Sequence, residues 1–310
     1  MHTDHKSVAG CSPAPAHGDS SVPLALRAPR PSLCFGVSIL LASLGFVACG
    51  DNLTLPPDRD PAADPDPPVL SCIPDLDGEI DADELQVGLG IPVRYVVSPS
   101  GISREVDLEG TETDDVITWD FATDFEDDQA LTVTASATTD KWYRDSFPED
   151  AFVTPFNRSG TLESIGRVTG SALELLGIAS SEEAPSGGRT LLVYDSPITV
   201  LQLPVKVGQS FISSAEITNG EAQGLPYAGR DTYEVSVDEI GTIDLTQLTF
   251  EQVHRVRTKV TVEPAVGAAV VRHQTSFFAE CFAEVLRATA EEGEESADFE
   301  EAAELRRLGF

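Results

Sequence analysis

The stretch QVHRVRTKVTV, Gln252 to Val262, decides the fold class. Val256, Thr258, Val260 and Val262 fall on one side of it, and Arg255, Arg257 and Lys259 fall on the other. A period of two marks a β-strand with one buried and one wet face, because successive side chains leave opposite sides of the pleat. Upstream, RDTYEVSVDE (Arg230 to Glu239) places Glu234 and Asp238 on one face and Tyr233, Val235 and Val237 on the other. If the two strands pair, an acidic row meets a basic row. Such exposed pairs contribute about 0–1 kcal/mol each and mainly fix register. This solvated pairing explains the Arg-Arg-Lys row better than an anion-binding patch does.

Outward from this pair the chain keeps the same grammar. IPVRYVVS, ITWDF, ALTVTASAT and TLLVYDS are short β-branched or aromatic runs, punctuated by Gly101, Gly110, Gly160, Gly170, Asn219-Gly220, Gly241 and Gly267. AVVRHQTSFF and CFAEVLRATA, Ala269 to Ala290, continue the meander through a tight connection. The expected fold is mostly β, an antiparallel open barrel or sandwich, not βαβ units. The acidic C-terminal tail, residues 291–310, is expected to pack on the domain. By propensity Ala297 to Leu308 forms a short helix, with Ser296 as cap and Arg306 and Arg307 near its end. The alternative for AELRRL is a closing edge strand.

The first part of the chain carries a different signal. Arg27 and Arg30 precede PSLCFGVSILLASLGFVAC, Pro31 to Cys49, whose apolar run of about fifteen residues ends in small residues, as an export signal does. A bilayer span needs roughly 20 apolar residues, so this run is too short to be one. Phe46-Val47-Ala48-Cys49 resembles the lipobox of bacterial lipoproteins, with Phe46 in place of the usual leucine. The resemblance implies cleavage before Cys49 and acylation of it, by palmitate-type chains that hold the protein on a membrane. Residues 1–26 fit poorly ahead of such a signal, and Met1 is the only methionine. The expected start therefore lies at a non-AUG codon near Val22, Leu24 or Leu26, the alternative being a long leader. Residues 1–48 then read as signal peptide and 49–71, rich in Pro and Asp, as an extended tether. Gly50 lacks the aspartate associated with inner-membrane retention, which points to the outer membrane of the cell envelope.

The net charge is −32, from 52 acidic and 20 basic residues. It argues against nucleic-acid partners, which need a basic face. The roughly 240 residues beyond the tether can bury about 70–75% of their unfolded surface as one domain, placed at 72–290. Cys72 and Cys281 remain as an even pair in an oxidising compartment, which reads as one disulfide, the alternative being two buried thiols.

CIPDLDGEIDADEL, Cys72 to Leu85, imitates a calcium loop. With Gly78 at the sixth position, Asp75, Asp77, Asp81 and Glu84 occupy positions three, five, nine and twelve. Position one is Ile73, which has no side-chain oxygen, and no helix precedes it. The expectation is a solvated acidic turn with no bound metal. His254 and His273 sit on different strands with no zinc spacing, and no cofactor motif is present. Asp114-Asp115 and Asp124 to Asp128 read as loops. Trp119, Trp142, Tyr143, Phe147, Phe152 and Phe156 read as core.

LLVYDSPITVLQLPVKVGQSF, TYEVSV, LTFEQVHRVRT and FFAECFAEVLRAT, within roughly Thr190 to Thr289, resemble a loosely defined group of bacterial envelope lipoproteins. In that group a Pro-Leu-x-x-Gly approach leads into an open antiparallel barrel of the lipocalin-like or lipoprotein-carrier kind. LPVKVG, Leu203 to Gly208, is the matching piece, and Cys281 departs from the group's Gly-rich hairpin turn. The resemblance implies a membrane-tethered, non-enzymatic β module that binds an apolar small molecule or an envelope protein. Two alternatives stay open: a hydrolase using acidic-loop carboxylates, and a structural envelope spacer.

Overall fold

The computed structural model describes residues 72–85 and 87–309. The expected signal peptide, the lipidation at Cys49 and the tether lie outside the described residues. Alternating apolar positions and turn-forming glycines give sixteen strands and one 3₁₀ turn, Arg144–Ser146. Strand β1 (Pro92–Val97) is followed by the short β2 (Arg104–Glu105), β3 (Thr111–Thr113) and β4 (Val116–Phe121). Then come β5 (Gln129–Thr134), β6 (Ser136–Ala137), β7 (Phe152–Pro155), β8 (Leu162–Val168) and β9 (Ala172–Ser180). The long strands follow: β10 (Leu191–Gln202), β11 (Ser210–Ala222), β12 (Leu225–Leu245) and β13 (Thr249–Pro264). The last are β14 (Val270–Ala279), β15 (Ala283–Ala290) and β16 (Glu301–Leu308).

The sheet order is β5-β1-β16-β15-β14-β13-β12-β11-β10-β9-β8-β7-β6. Its two ends, β5 and β6, flank a single residue, Ala135, so one chain segment serves both edges and the sheet nearly closes on itself as a barrel. Near-closure leaves only the short β5 and β6 as the ends of this path, limiting the unpaired edges that invite aggregation. The expected antiparallel barrel is therefore present. Every pairing along this path is antiparallel. β4, off the path, lies parallel to the end of β12.

The two faces separate at Phe277 and Phe278, adjacent residues that enter different cores. Phe277 points outward, where the excursion from residue 98 to 128 covers it: Trp119 and Phe121 meet its ring edge-on at 4.9 and 5.9 Å. Phe278 points inward with Val235, Val237, Val256, Leu201 and Val205, joined by Ile80 and Leu85 from the segment before β1. A second outer plate, Tyr143 with Trp142 and Phe147, covers Ile165 and Leu176. The six aromatics named from sequence thus divide. Trp119, Trp142, Tyr143 and Phe147 are packed in cores, Phe152 is half-buried, and Phe156 is exposed.

Register bears out the β12–β13 reading. Glu234 stands opposite Lys259, and their charged groups meet at 2.7 Å on the outer face. One part of that reading needs correction. Arg255 is buried rather than wet, because the outer excursion lies over it. Its Nη1 donates to the Leu108 carbonyl at 2.6 Å, and Asp238 takes its other donors.

The expected C-terminal helix is also corrected: residues 301–308 are strand β16, paired between β15 and β1, and not an edge. The reason is local. Thr289 pairs with Glu304 while Ala290 pairs with Ala302, so Ala303 is an extra residue in a bulge. The bulge places the buried Ala302 and Leu305 three positions apart, a spacing that in sequence mimics a helix.

Candidate functional site

Residues 72–85 lie across one end of the barrel's inner face. Ile80 and Val205 exchange backbone bonds at 3.0 and 2.9 Å, and His254 Nε2 donates to the Gly78 carbonyl at 3.0 Å. The expected disulfide is formed: Cys72 and Cys281 are bonded, with Cα atoms 5.5 Å apart. It fastens this segment to the turn between β14 and β15, where the Cys281 amide also donates to the Glu84 carbonyl at 3.0 Å. By the chain-entropy argument a closure of this length contributes on the order of 5 kcal/mol at most.

The bridge has a consequence for the acidic loop. Glu280 precedes Cys281, so its side chain is delivered to the loop beside Cys72. Its Oε2 accepts the amides of Asp75 and Leu76, each at 2.9 Å. One oxygen from each of Asp75, Glu84 and Glu280 lies within 4.8 Å of the other two. Glu280 is 3% exposed, and its Oε1 has no hydrogen-bond partner among the described residues. Burial pushes the Glu84 carboxyl above its ordinary range. The Asp81 amide, at 2.9 Å, pulls it back, and the charges of Glu280, Asp75 and Asp81 push it up again.

Of the four loop residues singled out in the sequence, only Asp75 and Glu84 enter this group. Asp77 turns its Oδ1 to the Glu79 amide, and the Asp81 amide caps Glu84. Glu280 was missed. The legible signal was its position next to a bridging cysteine, since a disulfide brings the neighbours of both partners together.

The inner face also carries a belt of polar groups. Glu284 accepts Arg287 Nη2 at 2.7 Å and Ser276 Oγ at 2.9 Å, and Tyr95 Oη donates to the Glu284 carbonyl at 3.0 Å. Glu304 bridges Arg158 at 3.1 Å and Arg306 at 3.5 Å. Burial, and then the Glu284 charge, push the Tyr95 hydroxyl up to about 12, so it remains a neutral donor. Tyr194 donates to Asp231 at 2.5 Å. Burial raises the Asp231 carboxyl, a shift this hydrogen bond opposes.

Four residues of the two acidic loops have structural roles. Asp114 and Asp115 both have positive φ and form the two-residue turn between β3 and β4. Asp127 and Asp128 hold Arg104 at 2.6 and 3.0 Å, and Asp128 also holds Arg307 at 2.6 Å.

Two open grooves lie on the described surface. One, of about 290 Å³, is lined by Leu85, Val87, Leu89, Phe152 and Val168 together with Glu149 and Asp150. The other, of about 310 Å³, lies on the outer face among Ile212, Glu234, Arg257, Lys259 and His273. No family model, no curated protein and no solved structure matches this chain.

Proposed function

We propose that the chain is a lipid-anchored protein of the cell envelope, fastened through Cys49 to the outer membrane, whose barrel is a non-enzymatic module that binds a small apolar ligand. The observation that carries this reading is the Cys72–Cys281 bridge, whose first cysteine directly follows segment 49–71 in the sequence. A bridged pair belongs to an oxidising compartment, in keeping with an export signal ahead of it. Residues 49–71, rich in Pro and Asp, stand between the proposed anchor and the bridged domain in the sequence.

The binding part rests on the groove lined by Leu85, Val87, Leu89, Phe152 and Val168, whose volume lies just below the roughly 300–1,000 Å³ of small-molecule sites. The absence of an enzyme assignment rests on the loop carboxylates: Asp127 and Asp128 are occupied by arginines, and Asp114 and Asp115 make a turn.

Purification of the full chain from membranes, followed by solvent extraction and mass spectrometry, tests the ligand. A stoichiometric apolar compound that is lost in Val168→Trp, with the fold intact by circular dichroism, is expected. Extracts identical for the natural chain and Val168→Trp would remove the ligand reading.

A further inference from the structure

We propose that Asp75, Glu84 and Glu280 form a calcium site that locks residues 72–85 onto the turn between β14 and β15. The inference is separate from the membrane anchor and from the apolar groove, and neither is needed for it.

The geometry carries it in three steps. First, calcium–oxygen distances are about 2.3–2.6 Å, so two oxygens on opposite sides of one ion stand at most about 5 Å apart. The three carboxylates each bring an oxygen within 4.8 Å of the others, so small side-chain adjustments let a single ion touch all three. Second, Glu280 is buried, its Oε2 is committed to two amides, and its Oε1 is left with no donor among the described residues. A buried carboxylate oxygen without a partner is costly, and a cation is the partner it lacks. Third, no lysine or arginine among the described residues pairs with Asp75, Glu84 or Glu280. The nearby Lys206 is spent on Glu79 at 3.3 Å.

The donor set is all oxygen and all charged, which suits a hard cation rather than zinc. The sequence motif fails as an EF-hand because Ile73 stands where the first carboxylate is needed, and Ile73 is 77% exposed. The fold replaces that missing carboxylate with one from some two hundred residues away, carried in beside Cys281. Disulfide and cation then tie the same two pieces of chain together.

The test is calorimetric titration of the full chain in detergent, with the disulfide intact, using calcium chloride in chelator-treated buffer. One ion per chain is expected, with Kd about 10⁻⁴–10⁻³ M, the range of extracellular calcium modules. Glu84→Gln and Glu280→Gln should each weaken binding about tenfold or more, whereas Asp114→Asn, in the β3–β4 turn, should not. The calcium-induced rise in Tm should disappear in the same two variants. Should Glu280→Gln leave free thiols and a disordered chain, Glu84→Gln decides alone. Absence of saturable binding up to about 10 mM would overturn the proposal, as would binding that survives both glutamine variants. Equal affinity for magnesium chloride would overturn the calcium assignment.

Discussion

Arg307 on β16 donates from Nη2 to Asp128 at 2.6 Å, and neither side chain keeps more than 6% of its surface. The same guanidinium reaches the carbonyls of Phe121, at 2.8 Å, and Thr123. One side chain of the last strand thereby holds the end of the outer excursion against the barrel. Removing one partner of a buried pair leaves the other charged and desolvated, at a cost of about 3–5 kcal/mol. Arg104 also contacts Asp128, so the lower end of that range is expected for Arg307→Leu. Urea unfolding should show it as a lower midpoint, and amide exchange should quicken first at residues 117–121.

Inside the barrel, Tyr194 and Asp231 depend on each other. Asp231 Oδ1 is buried without a partner, so the Tyr194 hydroxyl is the one side-chain donor that carboxylate has among the described residues. Tyr194→Phe should cost about 1–3 kcal/mol, the penalty for an unsatisfied buried group. In Asp231→Asn the charge is gone, so the same Tyr194→Phe change should cost clearly less. A double-mutant cycle on the two sites measures the coupling.

A close backbone approach predicts a third outcome. Gly241, where β12 meets β4, has room for hydrogen but not for carbon. A Cβ there would stand 2.3 Å from the Ile117 carbonyl oxygen and 2.9 Å from the Trp119 ring. Gly241→Ala should therefore push β4 off β12, at a cost of about 1–3 kcal/mol typical of overpacking. Loss of near-ultraviolet dichroism from Trp119, with the far-ultraviolet β signal retained, would report it.

Acidification should act through His254. Burial lowers its pKa from the ordinary 6.5, against weaker upward pulls from the Gly78 carbonyl and the charges of Glu280 and Asp77. The Gly78 carbonyl can only accept, so Nε2 carries the hydrogen and the buried Nδ1 is a lone pair with no donor. The unfolded chain takes up its proton near 6.5 and the folded chain only at lower pH. Stability from this group is thus complete above about 6.5 and declines as pH falls through that value toward the folded pKa. His273 shifts in the same direction, through burial and then Lys259. Urea midpoints between pH 7 and 5 should fall for the natural chain and fall less steeply for His254→Gln.

Much of this barrel was legible because the relevant forces act between neighbours on one strand. The alternation of Val256 to Val262 and the turn residues between strands specify strands whatever they pair with. What escaped reading depends on distant chain. Arg255 reads as wet until the loop carrying Leu108 is laid over it. The bulge at Ala303 converts a strand into a helix-like spacing, and only the partner strand β15 reveals it. The acidic loop shows the same limit. Four residues matched a known pattern by spacing, yet the group that assembles uses two of them and a glutamate far along the chain. Spacing records neighbours in sequence, whereas a carboxylate cluster is a fact of tertiary contact.

Acylation of Cys49 is the central prediction of the proposed function. Cells producing the full chain should be fed labelled palmitate, and the natural protein compared with Cys49→Ser. The natural chain should carry the label and sediment with outer membranes, and Cys49→Ser should be unlabelled and released in soluble form. An unlabelled natural chain, or a Cys49→Ser variant that fractionates as before, would contradict the account.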